Sequence, residues 1–109
     1  MKQGDIILID FDPTKGREQA GYRPALVISQ TKFNKKRNLA LICPITSNSK
    51  PLNFRVALDE RTQIKGDILC EQVRTIDLLV RKHKFVESAP SDLLEKVLDA
   101  VSVIINFEN

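Results

Sequence analysis

The stretch GDIILIDFDPTKGREQAGYRPALVIS, Gly4 to Ser29, decides how the rest of the chain is read. It opens on branched aliphatics, and Ile6 to Phe11 is predicted as a strand. Asp12-Pro13 ends that strand, because proline brings no N–H to a β-ladder. A loop containing Gly16 and Gly21 follows, and Ala25 to Ser29 is predicted as a second strand.

The same pattern continues outward. Phe33 to Asn38 reads as a polar connection, and Leu39 to Ile45 as a third strand with Pro44 marking an edge or bend near its end. Phe54 to Leu58 alternates and is the fourth strand. Asp67 to Val73, entered through Gly66, is the fifth, and Lys82 to Val86 a short sixth. Short strands at close spacing predict a small, strongly bent β-barrel. From Ser91 the period changes. Leu94, Val97, Leu98, Val101, Ile104 and Ile105 recur at three- and four-residue spacing, the mark of one helical face. Pro90-Ser91 opens this helix, and Asp92 and Glu95 suit its positive end. Leu93 and Val103 fall outside the stripe, as a second apolar contact or as partly exposed residues. The fold class expected is mainly β with α: a small barrel closed by a C-terminal amphipathic helix, in one domain spanning residues 1–109.

Composition narrows the chemistry. The 109 residues include 17 Lys plus Arg, 14 Asp plus Glu, and one His. A pair of histidines for acid–base work is therefore impossible. Cys43 and Cys70 cannot build a four-ligand zinc site even with His83. They read as small buried thiols, in keeping with a reducing cytoplasm. No apolar run approaches the roughly 20 residues that span a bilayer, and no signal-peptide pattern opens the chain.

The net charge of +3 hides a segregation. Between residues 14 and 55 stand Lys15, Arg17, Arg23, Lys32, Lys35, Lys36, Arg37, Lys50 and Arg55, against the single acid Glu18. Such a concentration suits a polyanion-binding face. Solvated loop tips are the alternative reading.

With these motifs in place, the chain resembles the MazF/PemK family of toxin endoribonucleases. The resemblance rests on the Gly4 to Ser29 stretch, on CPITS at Cys43 to Ser47, on GDILCEQVRTID at Gly66 to Asp77, and on the C-terminal helix. It covers essentially the whole chain. It implies an SH3-like barrel, a homodimer, and metal-independent cleavage of single-stranded RNA at short sequences. It also implies inhibition by a cognate MazE-like antitoxin, for which an acidic extended tail is expected. No cofactor or metal is implied. A related non-enzymatic line, the CcdB-like inhibitors of DNA gyrase, and an inactive RNA-binding module are the competing readings.

The resemblance places catalysis on Arg23, in G-Y-R-P, and on Thr46, in P-I-T-S. Glu18 and Gln19 match the loop E-Q, and Glu71, Gln72 and Arg74 match the later E-Q-V-R segment that lines the RNA site. Some plasmid-borne relatives carry a histidine before the loop E-Q and an arginine two residues before the later acid. Here those positions are Arg17 and Leu69, so the arginine–threonine version of the mechanism fits this chain. Lys15, Arg17 and Ser47 are candidate phosphate contacts, and Tyr22 a stacking platform for a base.

The chemistry agrees with the residue types. Metal-free RNA cleavage uses the 2′-hydroxyl as nucleophile and leaves a 2′,3′-cyclic phosphate and a 5′-hydroxyl. Its transition state gathers negative charge on the non-bridging oxygens, which a planar guanidinium holds two at a time. Pro24 steers Arg23 toward an extended backbone and so fixes its direction. Arginine's pKa, above about 12, makes it a poor base. Glu18, the lone carboxylate of the basic region, is the candidate proton acceptor or a positioning partner for Arg23.

Overall fold

The computed structural model of the protein describes residues 1–11 and 21–108. These residues form β1 (Asp5–Asp10), β2 (Tyr22–Val27), α1 (Thr31–Arg37), β3 (Leu39–Thr46), β4 (Arg55–Ala57), β5 (Asp67–Leu69), β6 (Arg74–Asp77), β7 (His83–Ser88) and α2 (Ser91–Ile105). The strands run β4-β5-β3-β2-β1-β7, with β6 branching from β3. Every pairing is antiparallel. Among the described residues no pairing joins β4 to β7, so the barrel-like sheet stays open.

Both faces of the sheet are covered, which is why β1 reads as a continuous apolar run instead of an alternation. On one face Ile6, Leu26, Cys43, Ile45, Ile68 and Cys70 pack beneath Leu93 and Val97 of α2. On the other, Ile7, Ile9, Ala25, Val27, Ala40, Ile42 and Ile76 form a second cluster. Successive residues of β1 and β3 thus feed opposite cores, as the two-residue period requires.

β3 is the branch point. Leu39 to Ile42 pair with β6, and Ile45 and Thr46 pair with β5. Pro44 falls in the gap between the two partners, where its missing N–H costs no bond on that side. The expected bend is therefore a change of partner.

Three expectations are corrected. The connection at Phe33 to Asn38 is helical, belonging to α1. The strand expected over Asp67 to Val73 stops at Leu69, turns, with Gln72 N–H donating to Leu69 O at 3.1 Å, and resumes as β6 at Arg74. Leu93 is core, only 4% exposed, whereas Ile104 and Ile105 of the expected stripe are 44% and 74% exposed. The helix contacts the sheet through its first turns and then runs past it. Arg61 secures that first turn, donating to both Asp59 and Asp92. Its guanidinium holds the Asp59 carboxyl down at about 2 and lowers Asp92 as well. Among the described residues no helix is long and apolar enough to cross a membrane.

Candidate active site

The β2–β3 ladder is three pairs long: Val27↔Ile42, Leu26↔Cys43 and Ala25↔Pro44. Beyond Ala25, β2 stays with β1, where Arg23 faces Ile9 and Tyr22 faces Asp10. Beyond Pro44, β3 stays with β5, where Thr46 faces Asp67. Pro24 and Pro44 flank the parting point, and Pro24 brings no N–H to carry the β2–β3 ladder further. A cleft of about 370 Å³ opens between the diverging ends, lined by Tyr22, Arg23, Pro24, Pro44, Ile45, Thr46, Ser47, Lys65 and Leu69.

Continuing the β2–β3 register by two residues sets Arg23 against Thr46. Both line the same cleft. Arg23 is exposed there, and among the described residues it makes no ion pair, so its donors are open to a ligand.

Thr46 is held more tightly. Its Oγ1 accepts the N–H of Asn48 at 3.1 Å, which fixes the rotamer and leaves the hydroxyl hydrogen to donate elsewhere. Lys50 N–H donates to the buried Asp67 carboxylate at 2.9 Å, and Arg55 bridges Asn48 O at 3.0 Å and Asp67 at 3.5 Å. The turn after Thr46 is thereby tied to β4 and β5. Gly66 lies under it with φ +126°, and a Cβ at that position would sit 2.0 Å from Thr46 O. Only glycine fits against that carbonyl.

Of the residues singled out from sequence, Arg23, Thr46, Tyr22 and Ser47 therefore meet in one cleft. Lys15, Arg17, Glu18 and Gln19 lie outside the described residues. Glu71, Gln72 and Arg74 are exposed but do not line the cleft. Arg74 opens β6 and sets its guanidinium 4.8 Å from the Phe11 ring centroid, at the root of the motif loop. His83 spends Nδ1 on Arg81 O at 2.8 Å.

Sequence reasoning missed Lys65 and Asp67, and it placed Arg55 in a basic face and not in the support of Thr46. Lys65 lines the cleft and anchors its ammonium on the carbonyls of Asp59 and Thr62. The signal that could have found it was its place directly before Gly66, where the GDILCEQVRTID motif begins. Leu69 makes one wall apolar. Among the described residues no group of three or more His, Cys, Asp or Glu side chains gathers as a metal site would need.

The described cations of the basic region do not form one face. α1 links the far end of β2 to the start of β3, so Lys32, Lys35, Lys36 and Arg37 stand at the opposite end of that hairpin from the cleft. Arg55 is committed to Asp67.

Fold and cleft together define a small, mainly β protein with a strand-end site that offers a guanidinium and an oriented hydroxyl to an anionic ligand. The chain belongs to the family of PemK-like, MazF-like toxins of type II toxin–antitoxin systems, whose model matches residues 2–105. It is similar to the endoribonuclease PemK of Escherichia coli, 36% identical over 109 residues that cover 96% of this chain and 82% of the relative. It is likewise similar to the endoribonuclease toxin MazF of Escherichia coli, 37% identical with 94% and 91% covered. Among solved structures it matches MazF from Deinococcus radiodurans with a TM-score of 0.85 at 31% identity, covering 98% and 97%. It matches a MazE–MazF complex from the same organism with a TM-score of 0.85 at 27% identity, covering 99% and 97%.

Proposed function

We propose that this chain is a toxin endoribonuclease that cuts single-stranded RNA, mRNA foremost, at short sequences without a metal ion, and so inhibits translation and growth. The observation that carries the reading is the meeting of Arg23 and Thr46 in one cleft. The scissile phosphate sits between them. Arg23 holds two non-bridging oxygens, and Thr46 donates its hydroxyl hydrogen to phosphate or to the attacking oxygen. The 2′-oxygen bonds to phosphorus and gives its proton to Glu18. The bond from phosphorus to the 5′-oxygen breaks, and that oxygen takes a proton from solvent water and leaves as a hydroxyl. Tyr22 stacks a neighbouring base, Ser47 and Lys65 add donors along the wall, and Lys15, Arg17 and Gln19 approach from the loop. Glu71, Gln72 and Arg74 read bases farther along the strand.

We further propose a cytoplasmic homodimer encoded with a MazE-like antitoxin. Exposed Phe85, Val103, Ile105 and Phe107 support a covered apolar surface, and light scattering tests it. An acidic antitoxin tail fits the same cleft and excludes RNA. An antitoxin fragment that binds without slowing cleavage refutes that arrangement.

The deciding experiment incubates the protein with long single-stranded RNA in EDTA, beside Arg23→Ala, and maps the ends. Discrete cuts bearing 5′-hydroxyls, lost in the variant, support the proposal. RNA bound but uncut leaves a binding module, and neither binding nor cutting points to a CcdB-like gyrase inhibitor.

A further inference from the structure

Between Gly21 and Arg55 the chain has no carboxylate, yet four of its cations lie in the seven residues of α1. Lys32, Lys35, Lys36 and Arg37 are all exposed, and among the described residues none is in an ion pair. The helix dipole accounts for Lys35, Lys36 and Arg37 in the last turn. It does not account for Lys32, which stands in the first turn, where a cation is disfavoured and no acid offsets it. Asp77, at the neighbouring end of β6, turns its carboxylate to Leu79 N–H at 2.9 Å.

The helix is also built rigidly for so short a segment. Asn34, its only buried residue, receives the Ser29 hydroxyl and donates to Met1 O at 3.1 Å and to Ser29 O at 3.2 Å. Gln3 N–H donates to Thr31 Oγ1 at 3.0 Å, and Asn38 closes the helix in the left-handed region at φ 54°. The anchoring polar residue points inward, so the cations are free to point out. Phe33 lies among them, 37% exposed, and offers a ring on which a base can stack. A pinned scaffold that presents unpaired cations beside an exposed ring matches the chemistry of single-stranded nucleic acid.

We infer that α1 is a second RNA-backbone contact, set apart from the cleft, which holds the strand that flanks the scissile phosphate. This rests on the endoribonuclease reading. β2 separates the two sites by six residues, about 17 to 20 Å of strand, so only RNA extending beyond the cleft reaches both.

The test is fluorescence anisotropy with 2′-O-methylated single-stranded RNA, which cannot be cut. A short oligonucleotide fills the cleft alone, and a long one carries flanks. Wild type is compared with the triple variant Lys32→Ala, Lys35→Ala, Lys36→Ala, which keeps Asn34 and good helix formers. The variant should bind long RNA at least about tenfold more weakly, with a log–log salt slope shallower by about 0.7 for each phosphate that α1 no longer neutralises. Its affinity for the short RNA should not change. Equal losses on both lengths, or no loss on either, overturn the inference. A variant that loses an acidic antitoxin peptide but keeps long RNA overturns it in favour of a protein partner. Failure of wild type to cut ordinary RNA would instead strike the endoribonuclease reading, which this binding assay does not measure.

Discussion

Arg23 on β2 and Thr46 on β3 share one register, two residues beyond the last pair of their ladder, Ala25↔Pro44. Had the ladder continued, the two side chains would be ordinary cross-strand neighbours on a sheet surface. Because it stops short of Pro24, they become opposite walls of a cleft. β1 holds one wall and β5 the other, so the spacing between guanidinium and hydroxyl is set by the whole sheet. Electrostatic catalysis requires this kind of preorganisation.

Arg23→Ala should lower RNA cleavage by about 10²–10³-fold, the usual worth of one preorganised donor to a developing oxyanion. Arg23→Lys keeps the charge but not the planar fork. It should retain most RNA affinity while its single-turnover rate stays close to that of the alanine variant. A lysine variant that cuts at the wild-type rate would remove the two-oxygen clamp from the mechanism.

Glu18→Gln separates a proton acceptor from a positioning group. As the base, it should drop the log rate by about 2–4 units and flatten the acid limb of the pH–rate profile. A mild loss at every pH leaves positioning alone. The measurement is a single-turnover pH series on one mapped site.

Much of this was legible in the sequence, because the informative signals there are local. Pro44 marks a bend in β3, Pro24 sets the backbone of Arg23, and the motif around Arg23 points to the chemistry. α1 was not legible, since a segment of seven residues has no room for periodicity and its one inward residue is the polar Asn34. The apolar stripe of α2 defines a face but not where the body beneath it ends, so Leu93 was placed outside and Ile105 inside. The support of Thr46 by Gly66, Asp67 and Arg55 depends on strand pairing between distant segments. The division of the basic region likewise appears only when β2 and β3 fold back as a hairpin.

The two thiols should be inert. The β3–β5 register, Ile45↔Ile68, continued by two residues sets Cys43 against Cys70, and both are fully buried. Burial, with Cys70 close by, pushes the Cys43 thiol up to about 12, and burial pushes Cys70 to about 11. Native protein at pH 8 should therefore resist a thiol-reactive disulfide reagent, and denatured protein should react at both positions. A group whose pKa is raised by folding lends stability below its unfolded value and loses it as pH climbs toward the folded one. The melting temperature should thus decline from about pH 9 toward pH 12, and Cys43→Ala should show a shallower decline over that window. An unchanged slope in Cys43→Ala would mean that this thiol does not titrate late.

Gly66→Ala tests whether the backbone under Thr46 matters to catalysis. The added methyl would meet Thr46 O at 2.0 Å, and φ +126° is itself unfavourable for alanine. Neither neighbour is a flexible side-chain tip, so β3 must move at Thr46. The strain should cost about 1–3 kcal/mol, seen as a lower melting temperature. Cleavage should fall at least as far as in Thr46→Ala, although the hydroxyl is still present. RNA affinity should drop less than the rate, because Arg23 and the loop cations remain. A folded Gly66→Ala protein that cuts at the wild-type rate would show that the Thr46 hydroxyl does not need this placement, and would leave Arg23 as the sole fixed element of the cleft.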